Sequence, residues 1–188
     1  FERVRFCERL QHGKGSAIDA AATVYGGLQT LQDGSPTPLA APLGTGWYWI
    51  LSGIPVVSTG ECVAHVRQQH GHDHALWQQF AATTAALQSA LTTHADPRPA
   101  LRENHRLLAH IGVVPAPAAA LIHDIEAAGG AAKISGAGAH RGDGGGIILA
   151  YHPDPNTIPA LLAPYPALTW DALHPAERGA HILPDDET

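Results

Sequence analysis

One segment constrains this chain more than any other: Lys133-Ile134-Ser135-Gly136-Ala137-Gly138-Ala139-His140-Arg141-Gly142-Asp143-Gly144-Gly145-Gly146. Short apolar runs flank it, Ala131 to Ile134 before and Gly146 to Tyr151 after, so the pair reads as two strands of a hairpin joined by a glycine loop. Residues with little or no side chain let a ligand come close to the backbone, and they also suit a flexible hairpin loop. Taken alone, the segment is compatible with both.

The rest of the chain supplies helices and further strands. Phe1 to Gln11 sets Val4, Cys7 and Leu10 near helical spacing. Ser16 can cap a helix over Ala17 to Tyr25 that Gly26-Gly27 closes. Leu28 to Gln32 alternates apolar and polar residues before Asp33-Gly34, a strand and a turn, and Trp47 to Leu51 is a second strand. Thr59 opens a helix to about His70, and further helices are expected over Asp73 to Thr93, Pro99 to His110 and Ala118 to Ala128. A short helix, Ile158 to Ala163, a strand near Leu168 to Leu173 and a frayed acidic end, Pro184 to Thr188, complete the pattern. This is an α+β chain, expected to have antiparallel strands with helices covering one face.

Composition narrows the function classes. Of 188 residues, 45% are hydrophobic and 15% charged, which is enough to bury a core. A net charge of -6 argues against contact with nucleic acid. His70, His72 and His74 have no Cys or carboxylate set at a familiar ligand spacing, so they read as a solvated helix end or loop. Two cysteines, Cys7 and Cys62, make no disulfide framework and are expected reduced, in a cytoplasmic protein. No apolar run approaches the roughly twenty residues needed to span a bilayer. The sequence has no Met and opens at Phe1 inside a helical pattern, from which we expect a piece of a longer chain.

Three places could carry chemistry. Glu8 and Asp19 flank Gly13-Lys14-Gly15-Ser16, a loop running into a helix start whose free amides can meet phosphate oxygens, and two carboxylates there suit a magnesium and phosphate site. Asp19 equally suits a dipole partner in the first helical turn. The glycine loop is the second place. The third is Trp47, Tyr48 and Trp49 on one strand, with Thr59 after it, which read as packing aromatics and a helix cap.

In order along the chain these pieces resemble the GHMP kinases, and bacterial mevalonate kinases most. Glu8 to Asp19 followed by Tyr25-Gly26-Gly27 resembles E-x-x-x-H-G-x-P-S-G-I-D with its following Y/W-G-G, although Gly15 and Ala17 stand where the pattern has Pro and Gly. Ser52 to Thr59 resembles the family's strand-end segment, whose Thr precedes a helix. Glu103-Asn104-His105 to Pro115 resembles E-N-H-x-L-L-x-x-I-G-V-x-P, and Lys133 to Gly138 resembles the third family motif, K-[IL]-[ST]-G-A-G.

The resemblance implies the end of a ribosomal-S5-like first domain over 1–58 and a ferredoxin-like GHMP kinase C-terminal domain over 59–188. It implies transfer of the ATP γ-phosphate, with Mg2+, to the primary hydroxyl of mevalonate. Asp19 would accept or orient the hydroxyl proton, Glu8 would bind magnesium, Thr59 would hydrogen-bond near the reacting centre, and Ser135, Gly136, Ala137 and Gly138 would support the phosphate. The family's loop P-x-G-x-G-L-G-S-S-A is not found in the sequence, so this polypeptide alone is expected to lack activity and to need an N-terminal ATP-binding segment as a partner. Phosphomevalonate, homoserine and sugar kinases of the family, and a non-catalytic binding domain of the same fold, stay open as alternatives. A homodimer and self-association through exposed apolar surface are also compatible with a piece of such an enzyme.

Overall fold

A computed structural model describes residues 1–12 and 17–181, with the side chains of Glu8, Arg9, Gln11 and His12 outside the described set. The chain divides into two compact units, Phe1–Pro42 with the segment from His174, and Leu43–Leu173. The expected loop at 13–16, Ser16 as a cap, and the tail from Pro184 lie outside the described residues.

The first unit contains α1 (Glu2–His12), α2 (Ala17–Tyr25), β1 (Gln29–Gln32) and β2 (Ser35–Pro38). β1 and β2 pair antiparallel with Gln32 opposite Ser35, which leaves Asp33 and Gly34 as a two-residue turn. Both turn residues have positive φ, 50° and 77°, the geometry that matches strand twist in a tight hairpin. β2 is absent from the sequence expectation because Ser35-Pro36-Thr37-Pro38 reads as a breaker. It survives in a two-stranded sheet, where Pro36 and Pro38 sit on an edge strand. Gly26, at φ +66°, ends α2 against the backbone of Arg178 and Gly179, where a Cβ would lie 2.5 Å from both, and Ala180 N donates to Thr23 O at 2.7 Å. The Gly26-Gly27 pair therefore both closes a helix and seats a later segment of the chain.

The second unit is built on β3 (Trp47–Leu51), β4 (Ala131–Ser135), β5 (Ile147–Tyr151) and β6 (Thr169–Ala172), in the order β4-β5-β3-β6. Each neighbouring pair is antiparallel. β3 lies between β5 and β6 as an inner strand of the sheet in the compact unit that starts at Leu43. The helices are α3 (Thr59–His70), α4 (His74–Thr93), α5 (Arg98–His110), α6 (Ala116–Ala127) and α7 (Thr157–Leu162).

Strand alternation sends Tyr48, Ile50, Ile134, Ile148 and Ala150 to one face, where Ile122 and Ile125 of α6 and Ile158 and Leu162 of α7 complete the main core. The other face is not left bare, as one-sided covering would have it. Trp47 and Ala131 pack there with Leu101 of α5, joined by Leu87 and Leu91 of α4. Two arginines fasten α5 along edge strand β4: Arg98 Nη1 donates to Gly129 O at 2.8 Å and Arg102 Nη2 to Gly130 O at 2.6 Å, just where α6 gives way to β4. Those carbonyls at a helix end would otherwise lack intrahelical donors. Among the described residues, no helix is long and apolar enough to cross a membrane.

Ile148 is fully buried on the inner strand β5. Ile148→Ala should lower unfolding stability by about 2–5 kcal/mol, read as a lower urea midpoint with unchanged slope.

Candidate functional site

The glycine loop leaves β4 at Ser135 and returns to β5 at Ile147, and its two halves do different things. The second half is committed to packing. A Cβ on Gly144 would run into the carbonyl of Ile54, one on Gly142 would lie 2.6 Å from a methyl of Val56, and one on Gly145 would lie 2.9 Å from Ile134 and 3.0 Å from Ser52 Oγ. Hydrogen bonds close the same contact: Ser52 N and Ser52 Oγ donate to Gly146 O at 2.8 and 2.9 Å, and Gly146 N donates to Gly53 O at 2.9 Å. These glycines bring two backbones together, so here the small residues meet a packing need.

The first half differs. Gly136 has φ +108°, a conformation that favours glycine, yet a Cβ there would meet nothing within 4 Å. Ser135 and Gly136 are exposed, and the amides of Gly136, Ala137 and Gly138 have no protein acceptor among the described residues.

Three contacts hold this turn in place. The Cys62 thiol donates to Ala137 O at 3.1 Å, and burial pushes that thiol up, keeping it protonated as a donor. Ala139 N donates to Val113 O at 3.0 Å, against which Gly138 packs too closely for any side chain. The rings of His65 and His140 stack at 4.3 Å and 9°.

The start of α3 stands beside the loop. Ser58, not Thr59, is the cap: Glu61 N donates to Ser58 Oγ at 3.2 Å and Ser58 N donates to Glu61 Oε2 at 2.9 Å, a reciprocal capping box. The Ser58 amide, donating to the carboxylate, is the main reason the Glu61 carboxyl sits below its ordinary value, with the Ser58 hydroxyl and Arg141 adding to the effect. Arg141 reaches Glu61 at 3.4 Å, a solvent-exposed pair of small energetic weight. Thr59, freed from capping, is exposed at the first helical position. A helix N-terminus and a turn with unpaired amides together offer what an anionic oxygen needs.

In the other unit, Asp19 is exposed in the first turn of α2. Glu8 falls within α1 with its side chain outside the described set, so the expected pairing of Glu8 with Asp19 also lies outside the described residues. Trp47 and Tyr48 are core residues, Tyr48 donating from its hydroxyl to Pro155 O at 2.6 Å. Both cysteines are free, Cys7 exposed and Cys62 buried. The sequence gives Cys62, Val113, His65 and His140 no role at this turn. Only the fold brings them to the loop.

Lys133, the first residue of the loop motif, is half-buried on β4, with Leu149 and then Trp49 next to it across the strands. Burial, with no carboxylate in ion-pair range among the described residues, lowers its ammonium to about 8.

No protein-family model matches the chain, and no curated protein does. Solved structures share its fold. The Lin0012 protein from Listeria innocua superposes with a TM-score of 0.73 at 21% identity, covering 89% of this chain and 56% of that one. The L. major mevalonate kinase in complex with R-mevalonate gives 0.70 at 24% identity, with 90% and 55% covered, and the Methanococcus jannaschii mevalonate kinase 0.69 at 16%, with 88% and 52% covered. The mixed α+β architecture with antiparallel sheets matches theirs, and the chain spans about half the length of each of these proteins.

Gly144→Ala should cost about 1–3 kcal/mol of stability by forcing two backbones apart, whereas Thr59→Ala, which removes no cap, should stay within about 0.5 kcal/mol, both read by denaturant unfolding. For Lys133 the folded value lies below the unfolded 10.5, so between about 8 and 10.5 the unfolded chain binds more protons and stability rises with pH. Lys133→Met should therefore raise stability at pH 7 and flatten that rise, as measured by unfolding across the same window.

Proposed function

We propose that this chain contributes to an ATP-dependent phosphotransferase of the GHMP kinase type, acting on the primary hydroxyl of mevalonate or a similar small alcohol. The observation that carries the proposal is the turn Gly136–Gly138, whose amides lack protein acceptors among the described residues, in a fold shared with mevalonate kinases. The motif resemblance along the chain adds the substrate class, and the low identity to those kinases is why the alcohol itself stays within the proposal. The segment 1–58 is read as belonging, in sequence, to the end of a first kinase domain.

Phosphoryl transfer depends on positioning and on neutralising charge around the moving group, with little covalent work for the protein. Ser135, Gly136, Ala137 and Gly138 would hold phosphate oxygens through backbone donors, and the α3 N-terminus at Thr59 would add its positive end and a hydroxyl. Asp19, an exposed carboxylate, would take or orient the proton of the attacking hydroxyl.

Magnesium usually takes one or two carboxylates and completes its shell with phosphate and water oxygens. No group of three or more candidate ligands gathers among the described residues, and a magnesium ion on Glu8 or Asp19 requires no such group. Its contribution would be to neutralise the phosphate charge. A cytoplasmic location goes with this reading.

Joined to an N-terminal region carrying a phosphate loop, the chain should release ADP in a magnesium-dependent, mevalonate-dependent manner, and Asp19→Ala should lower kcat by at least about 100-fold, in line with the weight of a positioned base. Unchanged turnover in that variant would remove Asp19 from the mechanism. ADP release with homoserine or a sugar in place of mevalonate would reassign the alcohol.

A further inference from the structure

A cavity of about 450 Å³ opens beside the loop within the second unit, between α3, α4, α5 and the turn at Gly136–Ala137. Its size falls in the roughly 300–1,000 Å³ range of small-ligand sites. Val63, Val66, Trp77, Leu108, Ile111 and Val113 give it an apolar wall. The side-chain polar groups in that wall are already engaged: Trp77 Nε1 donates to His70 O at 2.8 Å, and the Cys62 thiol donates to Ala137 O at 3.1 Å. A sugar or another many-hydroxyl ligand would find few partners, whereas an apolar body would lose nothing by entering.

One charge stands on the lining. Arg67 is exposed and has no carboxylate in ion-pair range among the described residues. In that it differs from Arg5, Arg98, Arg106 and Arg141, which pair with Glu2, Asp96, Glu103 and Glu61. Val63, 47% exposed, keeps a large apolar side chain in solvent one helical turn away on the same helix. An apolar hollow with a single unpaired guanidinium selects a ligand with an apolar body and one anionic end.

We propose that this cavity binds a small amphipathic carboxylate, with its chain against Val66, Trp77 and Ile111 and its charged end at Arg67. The cavity borders the turn assigned to phosphate at Gly136 and Ala137, but its test uses neither nucleotide nor alcohol substrate, so it can fail while the kinase reading holds.

The test is calorimetric titration of the 188-residue chain with octanoate and with octan-1-ol. Octanoate should bind one per chain. Arg67→Gln should weaken octanoate about tenfold, equivalent to about 1.4 kcal/mol, and leave octanol within about twofold. Val63→Trp, which plugs the mouth from an exposed position, should weaken both ligands at least about tenfold. Both substitutions are at exposed positions, and circular dichroism matching the parent establishes that the variants fold.

Absence of saturable octanoate binding would overturn the proposal, as would an octanoate affinity unchanged by either substitution. Equal loss of octanoate and octanol in Arg67→Gln would overturn the anionic part and with it the ligand class. A dimer seen by light scattering that Val63→Trp abolishes, without octanoate uptake by the parent, would make the hollow a contact between copies and overturn it as well.

Discussion

The second unit depends on one close approach: the backbone of Gly142–Gly146 lying directly on that of Ser52–Val56. It lets the β4–β5 connection fold down over the end of β3, and it hands the chain from β3 into α3 in a fixed direction. Side chains at those glycines would separate the strands' ends from the helix start. The glycine content of the loop is therefore first a packing requirement.

That requirement has a functional consequence. Because the far half of the loop is clamped, the near half, Gly136–Gly138, cannot collapse into the contact that would satisfy its own amides. Cys62 and Val113 hold it from below through Ala137 O and Ala139 N, and α3 begins beside it with Ser58 and Glu61 fully engaged in capping. Among the described residues, a set of backbone donors and a helix start remain unengaged at this corner, which is the chemistry of anion binding. The proposed kinase reading grows from that remainder.

Much of the architecture was legible in the sequence because it follows from local pattern. α2, β3 and α3 appear over the residues that caps, glycines and apolar spacing indicated, and β4 and β5 pair as expected across the loop. β2 was not legible, since its two prolines argue against a strand except on an edge. Thr59 looked like a cap because it opens the helix, but the hydroxyl one residue earlier has the Glu partner three positions on. Nor could the sequence show which glycines pack and which stay open. That division rests on contacts such as Ser52 with Gly146, 94 residues apart, and on Cys62 meeting Ala137, 75 residues apart.

Amide hydrogen exchange tests the division of the loop most directly. The amides of Gly136 and Ala137 should exchange quickly, while those of Ala139 and Gly146, bonded to Val113 O and Gly53 O, should be protected to nearly the level of the sheet. Protection of Gly136 and Ala137 equal to that of Ala139 would mean that the turn is already satisfied by the protein, and the account of an open anion-binding corner would be wrong.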